Sequence, residues 1–321
     1  MRIRRFLKRS VACAAALLAA VLLPGLAVPV SAYSSIDTGR ETSLTVYFGG
    51  DGTGFYGVQF DLYRVADISE WGRFTLAGDF AGYPVSLEDL DSAGWRALAQ
   101  TLDAYADRDG LKPFQTAVTG NDGRVSFAGT DTGLYLVSGS RHAADDYVYT
   151  PEPFLISLPD LDREGDEWVY DVTASCKYDS EYLPPDITSR KVIKVWEDDG
   201  NEAARPDEIT VQLLKDGAVY DTVVISADNN WRYTWTELDG SSRWQIAEQE
   251  TPEGYTVAVS QEGAAFVMTN TYGAGVPGGD VPGGGTKLPQ TGMLWWPVPL
   301  LACGGLFLLL IGWERRRRYE N

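Results

Sequence analysis

The chain has 321 residues, with 27 lysines and arginines against 45 aspartates and glutamates and a net charge of -18. That acidic balance disfavours nucleic acid, whose phosphates need basic patches. A single histidine, His142, and three cysteines leave little material for a histidine-based triad, a His-rich metal site or a disulfide framework.

The N-terminus begins with Arg2, Arg4, Arg5, Lys8 and Arg9 and continues through an apolar run from Val11 to Val30. With small residues at Val30-Ser31-Ala32, this reads as a secretory signal peptide over residues 1–32, cleaved between Ala32 and Tyr33. Removing it, with the basic C-terminal tail described below, takes away nine cations and two anions. The remaining 18 cations and 43 anions give a net charge of -25. Cys13 and Cys303 leave with the same segments, so Cys176 is the one thiol expected to remain and no internal disulfide can form.

Residues 33–181 read as a first domain made mainly of strands, at Ser43–Phe48, Val58–Val65, Gly123–Phe127, Leu134–Ser138, Phe154–Leu158 and Trp168–Ala174. One helical insert is predicted near 87–106, because Leu87, Leu90, Leu98, Leu102 and Tyr105 recur at helical spacing and Ser86 is suited to cap it. Asp107, Asp109 and Gly110 suggest a calcium loop, but Tyr105 and Thr116 stand at its first and last ligand positions. No metal or other cofactor is expected. Gly49 to Gly54 lacks the lysine and helix of a phosphate loop and reads as a turn.

The order of Gly57-Val58-Gln59-Phe60-Asp61-Leu62-Tyr63, Asp91-Ser92-Ala93-Gly94-Trp95, Gly133-Leu134-Tyr135-Leu136-Val137 and Trp168-Val169-Tyr170-Asp171-Val172 resembles the N-terminal domain of sortase-assembled major pilins. In those pilins a Tyr-Pro-Lys-Asn motif after the last of these segments supplies the lysine that joins the next subunit. Here the matching stretch is Ser175-Cys176-Lys177-Tyr178, so the resemblance makes Lys177 the candidate linkage lysine, against the plain reading of an exposed lysine at a domain edge. The positions for an internal cross-link carry Tyr47 and Phe48, and Ser138-Gly139-Ser140, so none is expected in this domain.

Tyr182-Leu183-Pro184-Pro185-Asp186 is the expected joint, since paired prolines stiffen the chain and cannot donate to a ladder. Residues 187–272 then read as about seven short strands, with Asp216-Gly217 as a hairpin turn. Val192-Ile193-Lys194-Val195-Trp196-Glu197-Asp198, Arg205-Pro206-Asp207-Glu208-Ile209-Thr210-Val211, Pro252-Glu253-Gly254-Tyr255 and Thr269-Asn270-Thr271-Tyr272 closely resemble the Cna protein B-type domain. In that family a first-strand lysine attacks a last-strand asparagine with help from an acid, forming an isopeptide bond. The resemblance assigns Lys194, Asn270 and Glu248 to these roles. The competing reading is a snorkelling strand lysine paired with Glu248.

Residues 273–287 are a Gly/Pro-rich spacer without core-forming residues. Leu288-Pro289-Gln290-Thr291-Gly292 follows, then an apolar span at 293–313 long enough to cross a bilayer, then Arg315 to Arg318. Together residues 288–321 resemble the LPxTG sorting signal of Gram-positive wall proteins. That resemblance implies sortase cleavage between Thr291 and Gly292 and transfer of Thr291 to a peptidoglycan precursor or another pilin.

The expected fold is therefore all-β, two tandem Ig-like (Cna B-type) β-sandwich domains with a helical insertion in the first. The expected function is that of a secreted, wall-anchored structural pilin (fimbrial) subunit with other pilin subunits as partners. The alternative is a monomeric wall-anchored adhesin for a host or matrix ligand. No metabolic enzyme is expected, only single-turnover cross-linking.

Overall fold

The computed structural model describes residues 35–273, apart from 51, 163–166, 183–185 and 199. The expected signal peptide, most of the spacer, the sorting pentapeptide and the apolar C-terminal span lie outside the described residues. Among those described, no helix is long and apolar enough to cross a membrane.

The first domain is built on β1 (Thr42–Tyr47), β2 (Gln59–Ile68), β3 (Arg124–Thr130), β4 (Gly133–Gly139), β5 (Phe154–Leu158) and β6 (Asp171–Ser175), with one α-helix, α1 (Ser92–Asp109). One sheet has the order β6-β1-β3, and the facing sheet has β5-β4-β2 extended by short strands at 74–76 and 115–118. Leu44, Val46, Phe60, Leu62, Phe127, Tyr135 and Val137 fill the space between the sheets. Strand β4 is buried on both faces: Tyr135 and Val137 point into that core, while Leu134 and Leu136 meet Trp95, Leu98 and Leu102 of α1 on the other side. The helix is thus a third layer on the outer face of the second sheet.

Helix α1 begins later than the apolar spacing predicts. Asp89 has a left-handed backbone (φ 53°), which interrupts any helix started at Leu87. Asp91 is the cap, accepting from the Gly94 amide at 2.8 Å, whereas the Ser86 hydroxyl only closes a local turn to the Glu88 amide. Gly110, also left-handed, ends the helix.

The second domain comprises β7 (Ile187–Glu197), β8 (Glu208–Lys215), β9 (Ala218–Ser226), β10 (Arg232–Asp239), β11 (Trp244–Glu248), β12 (Tyr255–Glu262) and β13 (Ala265–Tyr272). A four-stranded sheet, β10-β7-β13-β12, packs on a three-stranded one, β9-β8-β11. Asp216 and Gly217 both adopt positive φ in the β8–β9 hairpin, as the tight turn requires. Strands β7 and β13 run parallel, with Lys194 opposite Met268 and Trp196 opposite Asn270. Among the described residues, the two-sandwich, all-β fold with a single inserted α-helix is the expected architecture.

The two domains lie against each other along α1. Strand β12 is a sheet edge, and its outward amides are taken up by the first domain: Val257 donates to the Pro84 carbonyl (2.9 Å), Val259 to the Thr101 hydroxyl (2.7 Å) and Gln261 to Gln100 Oε1 (3.0 Å). Beside them Arg243 pairs with buried Asp103 and reaches Asp107, and Gln245 Nε2 donates to Asp103 Oδ2 at 3.0 Å. Removing the cation from a buried, hydrogen-bonded ion pair strands the remaining charge. Arg243→Ala is therefore expected to lower stability by about 3 kcal/mol in urea unfolding followed by tryptophan fluorescence. A loss under about 0.5 kcal/mol, the usual range for a surface change, would contradict this docked arrangement.

Candidate functional site

Alternation along β7 turns Val192 and Lys194 inward and exposes Val195. On β13 the same rule buries Phe266, Met268 and Asn270. Because β7 and β13 are parallel neighbours, Lys194 and Asn270 share the inner face of one sheet, one pleat repeat apart. Glu248, the last residue of β11, comes from the opposite sheet and closes the site across the sandwich. Lys194 is 6% exposed, Glu248 1% and Asn270 0%. The three predicted residues meet in the apolar core of the second domain.

Asn270 Nδ2 donates to both carboxylate oxygens of Glu248, at 3.1 and 3.0 Å, while Asn270 Oδ1 is buried without a hydrogen-bond partner. An acid that assists attack on the Asn270 amide must donate to its carbonyl, which calls for Oδ1 to face a protonated Glu248. The structure presents the nitrogen instead, the arrangement that suits an ionised carboxylate. Rotating the amide by half a turn puts Oδ1 where a protonated Glu248 can donate to it, and this satisfies the orphaned oxygen. The Lys194 ammonium makes no ion pair with Glu248. Its Nζ donates to the Val195 carbonyl at 3.1 Å and lies 3.9 Å from the centre of the Trp196 ring. The snorkelling ion pair is thus not the arrangement adopted.

The electrostatics follow from burial. Desolvation, against the opposing attraction of Glu248 and Asp198 and with a smaller push from Arg205, brings the Lys194 amine from 10.5 down to about 7. Desolvation also raises Glu248 above its usual range, against the attraction of Lys194 and the hydrogen bond from Asn270. Burial therefore favours the neutral amine and the neutral acid, the pairing that nucleophilic attack on an amide needs. Asp198 keeps its charge, held by Arg205 and by the Tyr255 hydroxyl at 3.3 Å. The Trp196 ring packs edge-on against Trp231 and Tyr255 and screens the amine from solvent.

Several residues at the site were not legible in the second domain's sequence, because they belong to the first. Tyr105 of α1, 2% exposed, is part of the second domain's core, packed with Val192, Val211 and Ile246. Arg108 stacks over the Tyr105 ring at 4.4 Å and donates from Nη1 to the Glu248 main-chain carbonyl at 2.8 Å. The Thr251 hydroxyl stands beside both Tyr105 and Glu248, near enough to bias their titration but outside hydrogen-bonding geometry with either. The available signal was a second helical stripe, Thr101, Tyr105 and Arg108, beside the apolar one.

In the first domain the equivalent core position carries Phe48, packed edge-on against Phe55, Phe60 and Tyr178. No lysine or asparagine is among that domain's described buried residues. Lys177 is exposed in the short link between β6 and the strand at 178–182, its carbonyl accepting from the Glu152 amide at 2.8 Å. Cys176 beside it is buried and unpaired, and burial pushes its thiol up to about 12. No cluster of three or more potential metal ligands occurs among the described residues. The carboxylates of the suspected calcium loop are engaged elsewhere, Asp107 with Arg243 and Asp109 with Arg108 and Tyr83.

Residues 190–271 match the family described as the Cna protein B-type domain. A collagen adhesin of Staphylococcus aureus is 36% identical over 96 residues, which is 27% of this chain and 8% of that protein. Among solved structures, a single B repeat unit of the S. aureus collagen-binding surface protein is 19% identical, covering 73% of this chain and 98% of that one, with a TM-score of 0.26. The full-length major pilin of Corynebacterium diphtheriae is 18% identical, with coverage of 74% and 65% and a TM-score of 0.30. At such scores neither structural likeness carries an argument. The second domain is a B-type sandwich of this kind, and its likeness to the curated adhesin is confined to a small part of that much longer protein.

Replacing Glu248 by glutamine removes the acid and leaves the lysine titrating without its carboxylate. Because the folded Lys194 is depressed from 10.5 to about 7, the unfolded chain holds a proton that the native state lacks between those values. Glu248 opposes this depression, so in Glu248→Gln the lysine is lowered at least as far; the penalty for burying the ammonium fades as pH rises, and the variant's stability should rise with pH up to about 10.5, across at least the range from about 7. Urea unfolding across a pH series checks this, with the double variant that also carries Lys194→Met as reference. Parallel curves for the two proteins would refute the buried-amine assignment.

Proposed function

We propose that this chain is a sortase-anchored cell-wall surface protein, a structural pilin subunit whose second domain is locked by an isopeptide bond between Lys194 and Asn270. The observation that carries the reading is the burial of an amine, a carboxyl and an amide together in the core of a B-type sandwich. A buried amine and a buried primary amide are costly there, and cross-linking replaces the two with one secondary amide. The neutral Lys194 amine attacks Cγ of Asn270 while Glu248 donates to the amide oxygen. Glu248 then relays a proton to Nδ2, the Cγ–Nδ2 bond breaks, and ammonia leaves as the new amide forms. The event is a single turnover, and the mature protein is a substrate of sortase rather than a metabolic enzyme.

In this reading the signal peptide exports the chain, and sortase cleaves Leu288-Pro289-Gln290-Thr291-Gly292 after Thr291. The threonine passes to a peptidoglycan precursor or to Lys177 of another subunit. Lys177 is exposed and makes no ion pair among the described residues, as an acceptor amine requires.

The second reading, a monomeric wall-anchored adhesin, is favoured by a cavity of about 590 Å³ between the domains. Its lining includes Arg141 and Arg190, which lack carboxylate partners among the described residues. The name collagen adhesin describes a relative of which this chain matches 8%, so a matrix ligand belongs to this second reading.

Wall material released by a muramidase and immunoblotted on denaturing gels separates the two. A high-mass ladder in the wild type that collapses in Lys177→Ala is the pilin result. A single species near monomer mass in both leaves the adhesin.

A further inference from the structure

The isopeptide reading places all the chemistry in the second domain, yet the wall of that domain nearest the acid is supplied by the first. We propose that helix α1 is a working part of the cross-linking centre: Tyr105 and Arg108 dock from the first domain, close the centre against water, and so set the rate at which Lys194 and Asn270 join. The proposal rests on the isopeptide reading and extends it to residues of the other domain.

Three independent contacts carry it. Tyr105 is integrated into the core around β8, β11 and Val192 rather than into the core that the rest of α1 serves. Arg108 donates to the main-chain carbonyl of Glu248 itself, which fixes the end of β11 from which the acid projects. The helix is held in that position by the hydrogen bonds from Val259 and Gln261 and by the Arg243–Asp103 pair, with Val257 bonded to the Pro84 carbonyl ahead of the helix, so its docking is built rather than incidental. Strand β11 is the edge of its sheet, and without α1 the last turn of that edge opens onto solvent. Water admitted there would solvate Glu248 and favour the charged forms of both partners, leaving Lys194 protonated and unable to attack.

The charged and titratable groups around the pair come from each neighbouring element. Asp198 and Arg205 lie beyond the end of β7, Tyr255 opens β12, and Tyr105, Arg108 and Asp109 belong to α1. Asp198 pairs with Arg205, and Arg108 pairs with Asp109, so those four are internally compensated. Tyr105 contributes bulk and a neutral hydroxyl, since burial pushes its ionisation well above the usual range. Both α1 residues are positioning groups, because neither touches the reacting amine or amide.

The test is the rate of cross-linking in the full chain, synthesised in a cell-free system, quenched at intervals in acid denaturant and read by intact mass as loss of one ammonia. Wild type reaching full conversion establishes the underlying reading, and wild type remaining at unreacted mass overturns that reading itself. Given conversion, Tyr105→Ala is expected to join about tenfold more slowly at neutral pH, with the acid side of its pH–rate profile displaced upward by about one unit. Tyr105→Phe, which restores the bulk, should return the rate and the profile to the wild-type values. Arg108→Ala removes a side chain at the rim and should shift the profile in the same direction by less; it carries the test if Tyr105→Ala does not fold. Wild-type rates and profiles in Tyr105→Ala, or in Arg108→Ala where that variant stands in, would overturn the proposal.

Discussion

The structure depends on how the open side of the second sandwich is closed. Strands β11 and β12 are edges of facing sheets, and unpaired backbone groups on two adjacent edges invite either solvent or another chain. Neither edge is protected by proline or by a bulge. Both are met by α1, which brings a hydroxyl, an amide oxygen, a carboxylate and a guanidinium to the strand groups that need partners. The helix can do this only because it is firmly seated on its other side, where Trp95, Leu98 and Leu102 pack on Leu134 and Leu136. One amphipathic element with two buried faces therefore joins two cores, and each domain's surface is completed by the other.

That closure explains how three polar side chains persist in an apolar interior. A buried ammonium or carboxylate alone is costly enough that the group gives up its charge instead. Lys194 and Glu248 resolve the conflict jointly: desolvation presses both toward neutrality, and the proton that one surrenders is the proton the other accepts. The aromatic wall of Trp196, Trp231 and Tyr255 shields one end of the pair and the Tyr105–Arg108 pair shields the other. The centre is kept dry from two directions, by its own sandwich and by its neighbour.

Strand alternation made most of this readable in advance. Val192 and Lys194 share an inward face by spacing alone, and the Asp216-Gly217 turn and the strands around it follow from local chemistry. The helix was legible, but its start was not, because a left-handed Asp89 interrupts an apolar spacing that otherwise continues from Leu87. The short strands at 147–151 and 178–182 pair with each other, yet the second carries Asp179, Ser180 and Glu181 and shows no apolar alternation to announce it. The docking of the domains was hidden for a related reason. Thr101, Asp103, Arg108 and Arg243 look like solvated surface until the partner strand supplies their bonds, and Tyr105 counts toward the wrong core when the helix is assigned a single apolar stripe.

The order of strands also decides what a covalent tie at this position would do under load. Strand β7 begins the second domain and β13 ends it, and they are parallel neighbours, so tension on the two ends shears the whole ladder from Lys191 to Glu197 at once. A bond from Lys194 to Asn270 would carry that tension directly from one strand to the other, bypassing residues 195–269. By analogy with other covalent loop closures it would add on the order of 4 kcal/mol to stability through the unfolded chain. The larger consequence is mechanical. Because α1 is held to β12, the immediate neighbour of β13, the first domain is hydrogen-bonded to the same sheet that carries the load. Force entering through the first domain can then reach that sheet through folded structure as well as along the connecting chain.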